Sequence, residues 1–239
     1  MQNIGIMTMQ RIINYGSFLQ AYALKRLLEN EIHAKVIFID YHFEKELIST
    51  NTKKRIFDKI KDNRTLINYI KKKIFLCNLK NFYIKDLKSI GINEKNFSKD
   101  IEALVIGSDE VFNCLQSFPV GYSRELFGYG FESIKVISYA ASFGFTTLSE
   151  LKENLIDKEI SLMLSRFSAL SVRDYNSYIV IKNLVKSEPL IHIDPVLAYD
   201  FKKEVCNYNI NEHNYIILYS YTNRLSKEEE RYINTGLRR

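Results

Sequence analysis

A short apolar run, followed by a polar loop and a helix, opens the chain and constrains its fold more than any other stretch. Residues 4–7 (IGIM) have the length and composition of a buried strand. Residues 17–28 then carry apolar side chains at helical spacing. Ser17 and Gln20 have the spacing of a capping box, which predicts that Ser17 caps this helix. A strand, a loop and a capped helix form the opening unit of a doubly wound α/β domain.

The loop between this strand and helix is a candidate ligand site. In doubly wound folds the carboxyl ends of the strands face the ligand crevice, and free amides at a helix start suit an anion. Gly16 permits a backbone conformation that other residues avoid, and Asn14 and Tyr15 carry polar groups that could hold a hydroxylated ligand. An ordinary turn and helix start explain the same residue types, so the spacing alone favours a structural role.

Length and cysteine content exclude several classes of protein. With 239 residues, the chain forms one large domain or two small ones. No apolar run reaches the length of a membrane span, and the N-terminus enters a strand without a leader signal, so we expect a cytoplasmic protein. Cys77, Cys114 and Cys206 are far apart and form no C-x-x-C pair, so neither a disulfide framework nor a zinc site is indicated. We expect no metal and only buried or unreactive thiols.

The positive charge of the chain is concentrated in one segment. Residues 53–88 contain twelve Lys or Arg against three Asp, a local balance of +9. We predict that residues 44–88 form one or two basic amphipathic helices inserted between core elements. Three interpretations remain open: a solvated helical face, a contact between Lys71-Lys72-Lys73 and an anionic membrane surface, and nucleic-acid binding. We rank them in that order, and because no nucleic-acid module is present we expect no nucleic-acid partner.

Further apolar runs of strand length predict a mostly parallel, doubly wound sheet. Asp40 ends the second run, where dinucleotide-binding folds have a ribose-binding acid. The first loop lacks G-x-G-x-x-G, however, and we therefore exclude a nicotinamide cofactor. The predicted strands are residues 34–40, 101–106, 135–144, 168–174 and 190–195, with helices at 149–167 and 175–185.

The composition changes near residue 199. Residues 199–214 are polar and show no periodicity, which predicts a linker. A strand at residues 215–219 and a helix at 227–233, opened by a capping box of Ser226 and Glu229, follow. One strand and one helix cannot bury both faces of a sheet. We therefore predict a Rossmann-like N-terminal domain over residues 1–200 and the first strand–helix unit of an incomplete second domain over residues 213–239.

Two later strand ends also carry candidate functional residues. Gly107, Ser108 and Asp109 follow a buried run, and Asp109 could accept a proton from a hydroxyl group. Ser108 or Asp109 could equally cap the next turn. Arg173 ends another strand, where it is a candidate anion ligand or the partner of a neighbouring acid.

Five motifs follow one another along the chain: NYGSFLQAYAL (14–24), VIGSDEVFN (105–113), ISYAASFG (137–144), SVRD (171–174) and IDPVL (193–197). Taken in this order, they resemble the polysaccharide pyruvyl transferase family. They span most of the chain up to the predicted linker. Glu110 and Phe112 depart from the family pattern, which usually has Gln and Trp at these positions.

The resemblance implies a fold and an activity. Members look like GT-B glycosyltransferases, with two Rossmann-like halves around a cleft, the first facing the acceptor and the second holding the anionic donor. They move the enolpyruvyl group of phosphoenolpyruvate onto a sugar of a cell-surface polysaccharide precursor, commonly lipid-linked, and form a ketal. Phosphoenolpyruvate is a co-substrate, and no cofactor is implied. Because this chain contains only the start of the donor half, we expect a truncated second domain and weak or no activity.

The resemblance also carries residues over, position by position. Asp109 is the candidate for proton transfer. Two alternatives to pyruvyl transfer as the function of the chain remain: a non-catalytic glycan-binding remnant and a GT-B glycosyltransferase that uses a nucleotide sugar. A homo-oligomer could cover an exposed sheet edge, and Lys71-Lys72-Lys73 could contact the inner face of the membrane. The expected substrate-binding residues are Asn14, Tyr15, Gly16, Gln20, Gly107, Ser108, Asn113, Ser138, Ala141, Ser142, Arg173 and Asp194.

Overall fold

The computed structural model of the chain describes residues 2–47, 63–117, 120–205 and 225–236. The predicted strand at 215–219, Cys206, most of the predicted linker, and residues 48–62 of the basic segment lie outside these ranges. Contacts within the chain divide it into two compact units, Met1–Tyr199 and Asp200–Arg239.

Within the described ranges, six parallel strands form the sheet of the first unit, in the order β2-β1-β3-β4-β5-β6. This arrangement confirms the predicted Rossmann-like α/β fold, and the sheet is wholly rather than mostly parallel. The order reverses between β1 and β3, and in open α/β sheets this is where a ligand crevice forms. The strands are β1 (Asn3–Met7), β2 (Lys35–Phe38), β3 (Ala103–Asp109), β4 (Lys135–Ala141), β5 (Ser171–Val172) and β6 (Leu190–Ile191).

Helices cover both faces of this sheet. Buried side chains of α1 and α2 pack on one face, and those of α3, α4 and α5 pack on the other. The described helices of the first unit are α1 (Tyr15–Glu31), α2 (Asn63–Ser89), α3 (Leu148–Glu153), α4 (Asp157–Leu164), α5 (Tyr175–Val185) and α6 (Pro195–Ala198), and those of the second are α7 (Lys202–Val205) and α8 (Lys227–Gly236).

The basic segment, the predicted linker and the predicted capping box near the end of the chain each contain or adjoin one of these helices. The basic segment contributes one described helix, α2, and the side chains at positions 71–73 are outside the description. The predicted linker contains the short helix α7. The capping box of Ser226 and Glu229 is confirmed, with the Glu229 amide donating to Ser226 Oγ at 3.2 Å and the Ser226 amide donating to Glu229 Oε2 at 2.8 Å.

The single helix predicted over residues 149–167 is wrong, because the chain forms α3 and α4 there. Thr147 caps α3 in a capping box with Glu150. Asn154 then donates its side-chain amide to the carbonyl of Glu150 at 2.8 Å. Leu155 follows with φ of 57°, in the left-handed region, and this conformation ends the first helix.

The start of α1 also differs from the prediction. Asn14, not Ser17, is the N-cap, and its Oδ1 accepts a hydrogen bond from the Gly16 amide at 2.7 Å. Gly16 lies in the first turn of the helix and is not among the glycines with positive φ, so its predicted special conformation is also wrong. The earlier start leaves the Ser17 hydroxyl available for a contact with another element.

An aromatic cluster supports the loop that follows β3. Phe112 is completely buried and stacks on Phe127 with ring centroids 5.0 Å apart. Phe143 and Phe167 contact the same ring at centroid distances of 5.3 and 6.2 Å. The cluster therefore fixes the loop after β3 against the start of the loop after β4.

Candidate functional site

The loops at the carboxyl edge of the sheet hold most of the residues predicted to be functional. Asn14 follows β1, Ser108 is near the end of β3, Ser142 follows β4 and Arg173 follows β5. Because all strands are parallel, these four residues lie at one edge of one sheet.

A closed set of buried hydrogen bonds joins β1, α1 and β3 at this edge. Gln20 Nε2 donates to Thr8 Oγ1 and to the Ser17 carbonyl, both at 2.9 Å. Ser108 Oγ donates to Gln20 Oε1, and Thr8 Oγ1 donates to the Ser108 carbonyl, also at 2.9 Å. Gln20 and Ser108 are almost fully buried, so ligand contact with their polar atoms would require these bonds to open. The set fixes the end of β3 beside α1.

Gly107 shapes the backbone that leads into this end of β3. Its φ is 119°, in the region that favours glycine, and a Cβ at this position would collide with the carbonyl oxygen of Tyr139 on β4. Gly107 is therefore required for the close approach of β3 and β4, just before the side chains that could act on a ligand.

Asp109 is the carboxylate held at the centre of the edge. Its Oδ2 accepts a hydrogen bond from Ser17 Oγ at 2.7 Å, and its Oδ1 accepts one from the Glu110 amide at 3.0 Å. Its φ of 84° is unusual for a residue with a Cβ and costs on the order of 1–3 kcal/mol, a type of strain that clusters at functional sites. With its side chain about one-fifth exposed, at 18%, Asp109 is both fixed and accessible.

Arg173 joins Asp109 to a second acid. Its Nη2 lies 3.5 Å from Asp109 Oδ1, and its Nη1 donates to Asp194 Oδ2 at 3.0 Å. Asp194 also accepts from the Val196 amide at 2.9 Å and caps α6. The arginine is thus paired with acids, yet its side chain remains 26% exposed. Two carboxylates and one guanidinium give this cluster a formal charge of −1.

Other residues predicted to bind substrate support the neighbouring loops. Ser142 Oγ donates to Asp174 Oδ2 at 2.6 Å, and Ser138 Oγ donates to the Ser171 carbonyl at 3.0 Å. Asn113 Nδ2 donates to Glu110 Oε2 at 2.8 Å, and its Oδ1 accepts from Thr146 Oγ1 at 2.7 Å. Ala141 is completely buried. The structure brings Asn113, Ala141 and Ser142 to the carboxyl edge of the sheet and places Ser138 in the middle of β4. The polar side chains of this group have partners within the protein.

The first turn of α1 is the most exposed part of the predicted set. Asn14, Tyr15 and Gly16 are all exposed, and Tyr15 packs edge-on against Tyr83 of α2 with ring centroids 5.8 Å apart. The Tyr15 hydroxyl donates to Asp86 Oδ2 at 3.4 Å. This turn therefore presents polar groups to solvent close to the hydrogen bonds that hold Asp109.

Three contributors to the site were missed from the sequence: Thr8, Ser17 and Tyr41. Thr8 and Tyr41 lie just past the ends of β1 and β2 and line a cleft of about 240 Å³, so the rule that strand ends face the ligand could have found them. The contact between Ser17 and Asp109 spans 92 positions, and no local pattern indicates it.

Tyr41 gives this cleft a measurable pH signature. Burial, together with the charges of Asp40 and Asp109, raises the pKa of Tyr41 to about 12. Since unfolded tyrosine titrates near pH 10, the stabilising contribution of this burial is present below pH 10 and is lost between pH 10 and about 12. We expect the absorbance difference between wild type and Tyr41→Phe at 295 nm to titrate near pH 12, and urea unfolding to show a smaller alkaline loss in the variant. A difference titrating near pH 10 would contradict the buried phenol.

No cluster of three or more His, Cys, Asp or Glu in the described ranges could hold a metal ion. None of the described helices combines the length and the apolar composition required to cross a bilayer.

The parallel Rossmann-like sheet, with polar and charged groups at its switch point, defines a class of α/β proteins that bind ligands at the carboxyl ends of their strands. The family profile described as polysaccharide pyruvyl transferase matches residues 14–237, and the chain belongs to this family. Membership implies a transferase with a pyruvyl donor and a polysaccharide acceptor. Comparison with curated proteins and with solved structures gave no match.

Proposed function

We propose that the chain transfers the pyruvyl group of phosphoenolpyruvate to a sugar of a cell-surface polysaccharide precursor and forms a cyclic ketal. The acceptor is a precursor of the kind assembled on a lipid carrier at the cytoplasmic side of the membrane, and phosphoenolpyruvate is the co-substrate. The family match supports this proposal, and the fixed, accessible carboxylate of Asp109 at the switch point is the observation that carries it.

The chemistry of ketal formation explains why such a carboxylate is needed. Two sugar oxygens form bonds to C2 of the enolpyruvyl group, and the C2–O bond to phosphate breaks. The two sugar hydroxyls lose two protons in total. C3 gains one proton and becomes a methyl group, and the other proton leaves with phosphate. A group that accepts a proton from an acceptor hydroxyl therefore accelerates the reaction, and we assign this role to Asp109. Ser17 and the Glu110 amide hold Asp109 in place.

The charge of the site favours an acceptor over the donor. The Asp109, Arg173 and Asp194 cluster carries a formal charge of −1, which suits neutral hydroxyl groups and repels a phosphate with a carboxylate. Asn14 and Tyr15 are exposed beside this cluster and are available to bind sugar hydroxyls. Arg173 can bind the phosphate or the carboxylate of the donor only after its contact with Asp109 or with Asp194 breaks.

The test is incubation of the whole chain with phosphoenolpyruvate and candidate glycans. We expect slow phosphate release that requires both substrates, and a product whose mass has increased by one pyruvyl group. Glycan binding without turnover would instead indicate a glycan-binding protein. A rise in melting temperature with nucleotide sugars, but not with phosphoenolpyruvate, would indicate a glycosyltransferase, because only a ligand of the native state stabilises it.

A further inference from the structure

The outward face of α2 combines exposed apolar side chains with lysines. Ile74, Cys77, Asn81, Ile84 and Lys88 recur at intervals of three and four, so they lie along one side of the helix, and all five are exposed. Ile74 and Ile84 therefore share one side of the helix with polar and basic residues, which is the composition of an amphipathic contact surface.

The opposite side of α2 anchors the helix to the domain. Tyr83 and Leu87 are buried in the cluster beneath α1. The Tyr83 hydroxyl donates to the Ile12 carbonyl at 2.5 Å, in the loop that follows β1. The outward face is therefore held in a fixed orientation beside the candidate site, while Phe82, 65% exposed, and Ile74, 57% exposed, project from the surface.

The charges on α2 indicate what this surface binds. The helix carries seven basic residues and one acid, Asp86, which is only partly exposed and pairs with the hydroxyl of Tyr15. Lys80, Lys85 and Lys88 are exposed around the apolar residues. Pairing with a second copy would bring like charges together, whereas an anionic surface would neutralise them.

We propose that the outward face of α2 docks the protein on an anionic phospholipid surface. In this arrangement Ile74 and Ile84 enter the boundary between headgroups and acyl chains, and the lysines contact the headgroups. The helix lies in the plane of the membrane rather than across it. The proposal goes beyond the proposed function and stands without it.

The experiment is cosedimentation of the whole chain with vesicles. We expect binding to vesicles of equal parts phosphatidylglycerol and phosphatidylcholine, much weaker binding to phosphatidylcholine alone, and release at an ionic strength of about 0.5 M, where charges are screened over a few ångströms. The variant Lys80→Glu/Lys85→Glu/Lys88→Glu should lower the partition coefficient on the order of a hundredfold, since each lysine near an anionic surface contributes about 1 kcal/mol.

Matched variants distinguish the contribution of the α2 face to vesicle binding from that of the net charge of the protein. Lys135, Lys152 and Lys158 are exposed lysines outside α2, and the same triple change to Glu there should preserve most of the binding. Ile74→Ala, at a 57%-exposed position, should weaken binding about tenfold, while Leu162→Ala, at a 59%-exposed position on α4, should not. Circular dichroism melts establish that each variant is folded.

Several results would overturn this proposal. Wild-type protein that remains in the supernatant with anionic vesicles would do so. Equal losses in the two lysine triples would show that net charge, not α2, determines binding. Tighter binding to a duplex DNA fragment than to vesicles, abolished by the α2 triple, would assign the face to nucleic acid.

Discussion

Replacing Asp109 with asparagine is expected to reduce pyruvyl transfer at least about a hundredfold. General-base catalysis by a positioned side chain contributes roughly 10²–10⁴ in rate, and the amide cannot accept the proton of an acceptor hydroxyl. The measurement is phosphate release that requires both phosphoenolpyruvate and the glycan. Ser17→Ala should cause a smaller loss, roughly tenfold, because it removes one hydrogen bond that positions the carboxylate.

The neighbouring residue provides a matched control for this experiment. Glu110→Gln is the same carboxylate-to-amide change one position along the chain, and Gln can still accept from Asn113 Nδ2. We expect this variant to retain wild-type turnover. If Asp109→Asn stays folded and fully active while Glu110→Gln is impaired, the base is not Asp109.

Phe112→Ala is expected to cost about 3–5 kcal/mol of unfolding free energy. The side chain is completely buried and contacts three other aromatic rings, so its removal loses both hydrophobic burial and packing and leaves a cavity. Urea unfolding followed by circular dichroism measures the change. The loop that carries Asp109 should also loosen, since the ring fixes it against the loop after β4.

Phe145→Ala is the corresponding control on the same edge of the sheet. Its side chain is 90% exposed, so the same truncation should change the unfolding free energy by no more than about 0.5 kcal/mol. Similar losses in the two variants would mean that the aromatic cluster is not the source of the stability.

The alternation of strands and helices could be predicted because it follows from local apolar patterns. Each apolar run in the first unit contains a strand, and the bounds of α5 were predicted correctly. The start of α1 could not be decided locally, since both Asn14 and Ser17 are good caps. The break between α3 and α4 depends on the left-handed conformation of Leu155, which the apolar periodicity conceals.

The sequence could predict which residues lie at the carboxyl edge of the sheet, but not which of their side chains contact one another. The rule for strand ends located Asp109 and Arg173, because it depends only on parallel topology. It could not show that Gln20 bonds Ser108 across 88 positions, or that Arg173 lies between two acids. The first contact depends on the packing of α1 against β3, and the second on the position of the loop after β5 beside Asp109 and the cap of α6. No local sequence pattern indicates either contact.

The position of β1 inside the sheet affects how a nascent chain can fold. Ile4 pairs on one side with Val36 and on the other with Ala103. The first pairing can form early in synthesis, but the second must wait while the ribosome translates residues 39–102, roughly 3–13 s at ordinary elongation rates. During that interval the inner edge of β1 is unpaired, so we expect the nascent chain to be most prone to mispairing before β3 emerges.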